Sequence, residues 1–431
     1  MCVVETMAAV CCVGDWLVTS VSHHLVAANI SQCREPFVFD CAKAEQKPKE
    51  NKTENESQGG ASEEKGSDRV LAFTLSASGN YAALTDDSKR LVLFRTRPSW
   101  RCISTRWVVR RCTSLVFSWA EDELFVADKS GDVYSFSVVE PDQQGELKLG
   151  HLSMLLGITL SPDDKYIITA DRDEKIRVSV RKSPYCIQAF CLGHTEFVSA
   201  LCVAPEHSDW LLSGSGDGTV KLWNYESGQQ LQSIDLKQLY VSHGTAIDSE
   251  KSQRFAVSRI VTTLDGRYVA VQCERFPSIQ LFVLEDELEG PLTPTDNLTL
   301  PHTPWDMTFD RQGRLWVLLE NKDSIFLLYT HTQEGWQCET ESLDLQTVSE
   351  ALHLHWDLFE DSVGLESQLQ HLYKVNFDNT ASYLQRKWER QQQQKNQQGG
   401  KRRAGKGPQS SGAAKKTKTE SKGGTVSQHC S

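Results

Sequence analysis

The sequence predicts an all-β fold: a seven-bladed β-propeller followed by a C-terminal helix and a disordered basic tail. Three observations carry that reading. Short strand-like runs end at intervals of 42, 43 and 44 residues, Gly- and Asp-rich hairpin chemistry precedes several of those ends, and 11 Trp with 16 Phe fit strand packing. A chain of 431 residues with 39% hydrophobic and 24% charged residues can bury a core, which excludes wholesale disorder.

The strongest unit is CLGHTEFVSALCVAPEHSDWLLSGSGDGTVKLWNY, residues 191–225. Leu211, Leu212 and Ser213 form one strand-like run and Val220 to Trp223 another, with Gly216, Asp217 and Gly218 as hairpin chemistry between them. The segment resembles a WD40 repeat, from Gly193 and His194 at its start to Trp223 at its end. That resemblance implies a hydrogen-bonded set of His194, Ser213, Asp217 and Trp223. Outward from Trp223, equivalent strand ends fall at Ser179, Phe136 and Phe94, with weaker copies at Phe39, Phe282 and Leu328. Seven such ends give a seven-bladed WD40 β-propeller, a ring without long exposed sheet edges. The fourth blade carries His151, Thr169 and Asp173 for the same set, with Ser179 in place of the tryptophan.

The propeller is expected over residues 1–350, interrupted by a disordered loop at 43–69 whose only apolar residues are alanines. An extension over 351–394 holds an amphipathic helix. Asn379 or Thr380 serves as its N-cap, Ala381, Leu384 and Trp388 share one face, and Arg386, Lys387 and Arg390 lie elsewhere around it. The tail, 395–431, is basic. Residues 391–431 hold nine Lys/Arg against Glu420 alone, whereas residues 1–390 hold 37 Lys/Arg against 56 Asp/Glu. So acidic a body binds nucleic acid poorly, and any RNA contact is local, tail-borne or made by a partner. The apolar start is broken by Glu5 and Asp15, too short to span a membrane, and has no Lys or Arg before Arg34. The 13 cysteines include no C-x-x-C pair, which reads as reduced thiols in a cytoplasmic or nuclear protein rather than a disulfide framework or zinc site.

No catalytic constellation is visible. The glycine-rich run 214–218 leads into another strand, not into a helix that could cradle a phosphate, so it reads as a hairpin turn. His151 and His194 read as structural residues rather than general bases. The acidic pairs Asp86 with Asp87 and Asp163 with Asp164 read as solvated turn residues. No G-x-S-x-G, H-E-x-x-H or Walker-type lysine motif occurs. Charge concentrates instead in three aligned turns: Asp86 to Arg90, Asp128 to Asp132 and Asp171 to Lys175. Exposed pairs there add only about 0–1 kcal/mol each, whereas a contiguous patch of alternating charge suits the registering of a partner.

The strings LTDDSKRLVLF, VADKSGDVYSF, LGHLSMLL, SPDDKYIITADRDEKIRVS, CLGHTEFVS and NFDNTASYLQRK resemble the WD-repeat non-catalytic subunit of the tRNA (guanine-N(7)-)-methyltransferase. The similarity spans blades two to five and the C-terminal helix, about half the chain. It implies a heterodimer in which a separate catalytic subunit binds S-adenosylmethionine and forms N7-methylguanine in the tRNA variable loop. This chain would then have no cofactor or metal of its own, would stabilise and orient its partner, and would meet tRNA through the complex. Carried onto this sequence, the docking residues are Asp171, Arg172, Asp173, Glu174 and Lys175, then Lys89, Arg90 and Lys129. Arg386, Lys387 and Arg390 are expected to touch RNA. Members of the family also act in nuclei, and Lys401, Arg402 and Arg403 fit an import signal. A second reading is a substrate receptor of a cullin-type ubiquitin ligase. It is disfavoured because Asn224 and Tyr225 follow Trp223 where a W-D-x-R element is expected.

Overall fold

The computed structural model describes residues 8–32, 34–46, 66–242, 254–285, 290–365 and 367–374, together with Tyr383, Leu384, Arg386, Lys387, Trp388 and Arg390. The chain forms two compact units, Met1–Tyr373 and Lys374–Ser431. In the first, the described residues build seven four-stranded antiparallel sheets, each from four consecutive strands. The blades span 9–40, 70–107, 112–150, 155–191, 198–235, 257–299 and 304–339. The first strand of each blade lines a central channel. The ring closes where the backbone N–H groups of Val10 and Cys12 donate to the side chains of Asp306 (2.8 Å) and Thr308 (3.2 Å), joining the first blade to the last.

The second and third strands carry most of the core because both their faces are covered by neighbouring blades. Trp210–Ser215 and Thr219–Asn224 are nearly continuous buried runs, with Leu212, Val220, Leu222 and Trp223 fully buried. Register fixes the repeat. The second residue of each second strand pairs with Ala28, Phe94, Phe136, Ser179, Trp223, Phe282 or Leu328. Six of these are the strand ends read from sequence. Phe39 is not the seventh, because it lies in the fourth strand of blade one, Phe37–Asp40, opposite Leu25. The true equivalent, Ala28, is too small to mark a strand end, while Phe39 packs edge-on against Phe94 of the next blade.

The 43–69 segment is also more structured at its ends than expected. Cys41–Lys43 forms a 3-10 turn, and the Asp87 carboxylate accepts hydrogen bonds from Ser67 and from the Arg69 amide. Asp87 and its neighbour Asp86 are therefore buried acceptors, not solvated turn residues. Residues 47–65 lie outside the described residues.

A feature without a sequence signature follows the last strand. Helix α1 (Leu343–His353) buries Val348 and Leu352 in the core shared by blades one and seven. Trp305, Trp356 and Phe359 then stack at centroid separations of 5.7–6.2 Å. From there the chain runs as a strap to Tyr373. Ten cysteines among the described residues are free thiols, and none of the described helices is long and apolar enough to cross a membrane.

Candidate docking face

Each blade presents a middle hairpin turn, between its second and third strands, on one face of the disc. In blades two, three and four that turn begins with a buried aspartate: Asp86, Asp128 or Asp171. One carboxylate oxygen accepts the N–H four residues on, from Arg90 (2.9 Å), Asp132 (3.1 Å) or Lys175 (3.0 Å). The turn then needs a left-handed residue at its fourth position, the geometry of a type I turn closed by a bulge. Gly131 (φ 97°) and Gly218 (φ 79°) supply it in blades three and five, but Lys89 (φ 66°) and Glu174 (φ 74°) do so in blades two and four. A non-glycine residue there costs roughly 1–2 kcal/mol, so two charged side chains are held at strained positions.

The hydrogen-bonded set in blade five is as expected. His194 lies 2.9 Å from Asp217 and 2.7 Å from Ser213, whose hydroxyl also accepts from the Trp223 indole at 2.8 Å. In blade four, His151 meets Thr169 at 2.8 Å, but its carboxylate partner is Asp171 (3.1 Å), not Asp173. The reason is local. Blade five has Ser215 at the strand end, so its aspartate must reach back from the turn. Blade four has a carboxylate at the strand end already, directly beneath the imidazole. Burial pushes the Asp171 carboxyl up, but hydrogen bonds from His151 and the Lys175 amide outweigh it and hold the group below its ordinary value.

Two expected docking residues are consequently structural. Asp171 is 2% exposed and Arg90 is 1% exposed. The Arg90 guanidinium donates to Asp86 at 2.6 Å and pairs with Asp68. Lys175 is exposed, and Lys89, Lys129, Arg172, Asp173 and Glu174 are partly exposed on the face.

The strap crosses this same face. The Glu274 carboxylate accepts from the amides of Gln368 (2.6 Å) and Leu369 (3.1 Å), and Arg275 donates to the Leu365 carbonyl at 2.6 Å. Tyr373 donates its hydroxyl to the Gly216 carbonyl at 2.9 Å, under the Arg254 guanidinium. Arg172 Nε donates to the Leu372 carbonyl at 2.9 Å. The strap thus occupies the turns of blades six, five and four. His371 feels both Lys129 and Arg172, which, after burial, hold its imidazole below the ordinary value. Gln368 and Leu369 line one part of the channel, a cavity of about 420 Å³ that also holds the Arg259–Asp306 pair (3.2 Å).

Arg254, Glu274 and the strap were not legible in the sequence, since a segment anchored at irregular intervals has no period to detect. Arg386, Lys387 and Arg390 are exposed helical residues of the second unit. Asn379, Thr380, Ala381 and the basic tail lie outside the described residues.

The WD40 domain family of the tRNA methyltransferase TRM82 matches residues 32–148 and 139–334. The tRNA (guanine-N(7)-)-methyltransferase non-catalytic subunit wdr4 of Danio rerio is 65% identical over 386 residues, covering 89% of this chain and 92% of the relative. Its Homo sapiens counterpart is 45% identical over 375 residues, covering 86% and 88%. Among solved structures, the WD40 repeats of RRP9 superpose with a TM-score of 0.58 at 18% identity, over 74% of this chain and 88% of that one, a likeness of fold alone.

Proposed function

The chain belongs to the WD-repeat non-catalytic subunits of the tRNA (guanine-N(7)-)-methyltransferase, and from that premise we propose that it is the scaffold half of a heterodimer. The other half binds S-adenosylmethionine and transfers the methyl group to guanine N7 in the tRNA variable loop. This chain stabilises and orients that subunit by docking through the middle turns of blades two and three and the part of the blade-four turn that lies beside the end of the strap.

The observation that supports this surface is the pair of strained charges. Lys89 and Glu174 occupy turn positions that Gly131 and Gly218 fill elsewhere, and strain retained at a partly exposed charge points to use of that charge. Arg172, Asp173, Lys175 and Lys129 complete the patch beside the end of the strap. Such a patch sets register and encounter rate more than raw affinity. Arg386, Lys387 and Arg390 then contribute a local RNA contact, with most phosphate neutralisation left to the partner. Lys401, Arg402 and Arg403 direct nuclear import. Nothing in the face or the relatives favours a ubiquitin-ligase receptor.

The test is the double variant Lys89→Glu, Lys175→Glu. Arg172 is unsuitable alone because its side chain also holds the strap. The variant is expected to melt like the parent and to lose co-purification with the catalytic subunit. Undiminished co-purification of the folded variant would remove this surface from consideration. Deleting 395–431 is expected to spare catalysis and lower nuclear accumulation; unchanged localisation would reject the import role.

A further inference from the structure

The middle turn of blade one differs from the others in chemistry. Its third strand, His24–Asn29, begins with the second of two adjacent histidines, and Asp40 of the fourth strand pairs directly with His24 in register. His23, His24 and Asp40 each offer one ligand atom, and those atoms lie within 4.8 Å of one another. His23 Nε2 is 3.9 Å from Asp40 Oδ1 and His24 Nε2 is 3.8 Å from Asp40 Oδ2. Neither is a hydrogen bond.

The His24 side chain is 10% exposed. Its Nδ1 is buried without a partner and its Nε2 points at a carboxylate it does not reach. Leaving a buried polar ring unsatisfied is costly. His23 shows the complementary arrangement. Its Nδ1 lies 3.1 Å from the Ser22 hydroxyl, which orients the ring and leaves Nε2 directed toward Asp40.

We infer that this turn is a divalent transition-metal site, with His23 Nε2, His24 Nε2 and the Asp40 carboxylate as its protein ligands and zinc as the ion its chemistry best suits. Two imidazoles with one carboxylate select zinc-class ions over magnesium or calcium. A tetrahedral ion at about 2.0–2.2 Å from each ligand brings ligand atoms to roughly 3.4 Å apart, so each histidine–aspartate gap must close by about half an ångström and the widest separation by up to about 1.4 Å. Rotation of the partly exposed His23 ring together with the Asp40 carboxylate can supply that. The fourth position goes to water.

Other charges around the site are Lys43, whose ammonium sits 2.9 Å from Asp40 Oδ2 and is largely exposed, and Asp357, on the segment after α1, which acts on His24. Lys43 already places a positive charge on the carboxylate that an ion would use. It is free to swing into solvent, and a bound ion would displace it.

The test uses the full-length chain freed of any histidine tag and stripped with chelator, titrated with zinc by calorimetry and with cobalt by visible absorption. One equivalent is expected to bind to the wild-type chain. His23→Gln and Asp40→Asn are each expected to lower zinc affinity at least tenfold. Ser22→Ala is expected to lower it by about tenfold through lost orientation, and Lys43→Ala to raise it by removing the competing cation. Melting in chelator reports folding of each variant. Equal one-equivalent binding by wild type, His23→Gln and Asp40→Asn would move the ion to other ligands, such as the free thiols, and overturn the site. So would no binding at tens of micromolar zinc.

Discussion

Asp171 should matter far more to this protein than Asp173, although aligned turns point to Asp173. The Asp171 carboxylate is 2% exposed and accepts the Lys175 amide at 3.0 Å while meeting His151 at 3.1 Å. Asp171→Ala leaves both of those groups without their acceptor, at about 1–3 kcal/mol each, or about 2–6 kcal/mol together. Against a total stability of about 5–15 kcal/mol, that is a large fraction. Asp173 is partly exposed in the turn, and its replacement by alanine is expected to cost about 1 kcal/mol or less. The assay is urea unfolding followed by tryptophan fluorescence, comparing midpoints at constant slope. Asp171→Ala should lower the midpoint several times more than Asp173→Ala and reduce partner binding too, because the turn bearing Arg172 and Lys175 loses its register. Equal losses, or a larger one from Asp173→Ala, would refute the assignment of the histidine's partner.

Ser213→Ala removes one hydroxyl that serves both His194 and the Trp223 indole, so a loss of about 2–4 kcal/mol is expected in the same assay. Asp171 and Asp217 are both held below the ordinary carboxylate range, against the opposing effect of burial, chiefly by their histidines. Their contribution is therefore complete above the unfolded value near pH 4 and lost as pH falls through the lower folded values. The urea midpoint should drop as pH falls below about 4, less steeply in Asp217→Asn. Glu174→Gly relieves a left-handed residue; it should raise stability by up to about 1 kcal/mol while weakening partner binding, and a destabilised variant would count against the strain argument.

Blades two to five were legible because their strand ends and turns carry distinctive residues at a constant interval. Blade one hid its third strand behind Ala28, and the bulkier Phe39 stood in for it. The proposed docking patch was legible as a cluster of charge, but which of its residues are exposed was not. Asp86, Asp171 and Arg90 look like surface residues in a string such as DDSKR, and only the folded turn reveals that their polar atoms satisfy one another inside it. The strap was invisible for another reason. Its anchors fall in two separate neighbourhoods of a surface already folded, Trp356 and Phe359 against Trp305, Leu372 and Tyr373 against Phe197 and Ala256, and such contacts impose no period on the sequence.

The central claim, that this chain is half of a tRNA-methylating heterodimer, is tested most directly by mixing it with the family's catalytic subunit and measuring mass in solution together with N7-methylguanine formed on tRNA. The expected result is a one-to-one complex whose activity exceeds that of the catalytic subunit alone. Two separate species, with methylation unchanged by this chain, would contradict it.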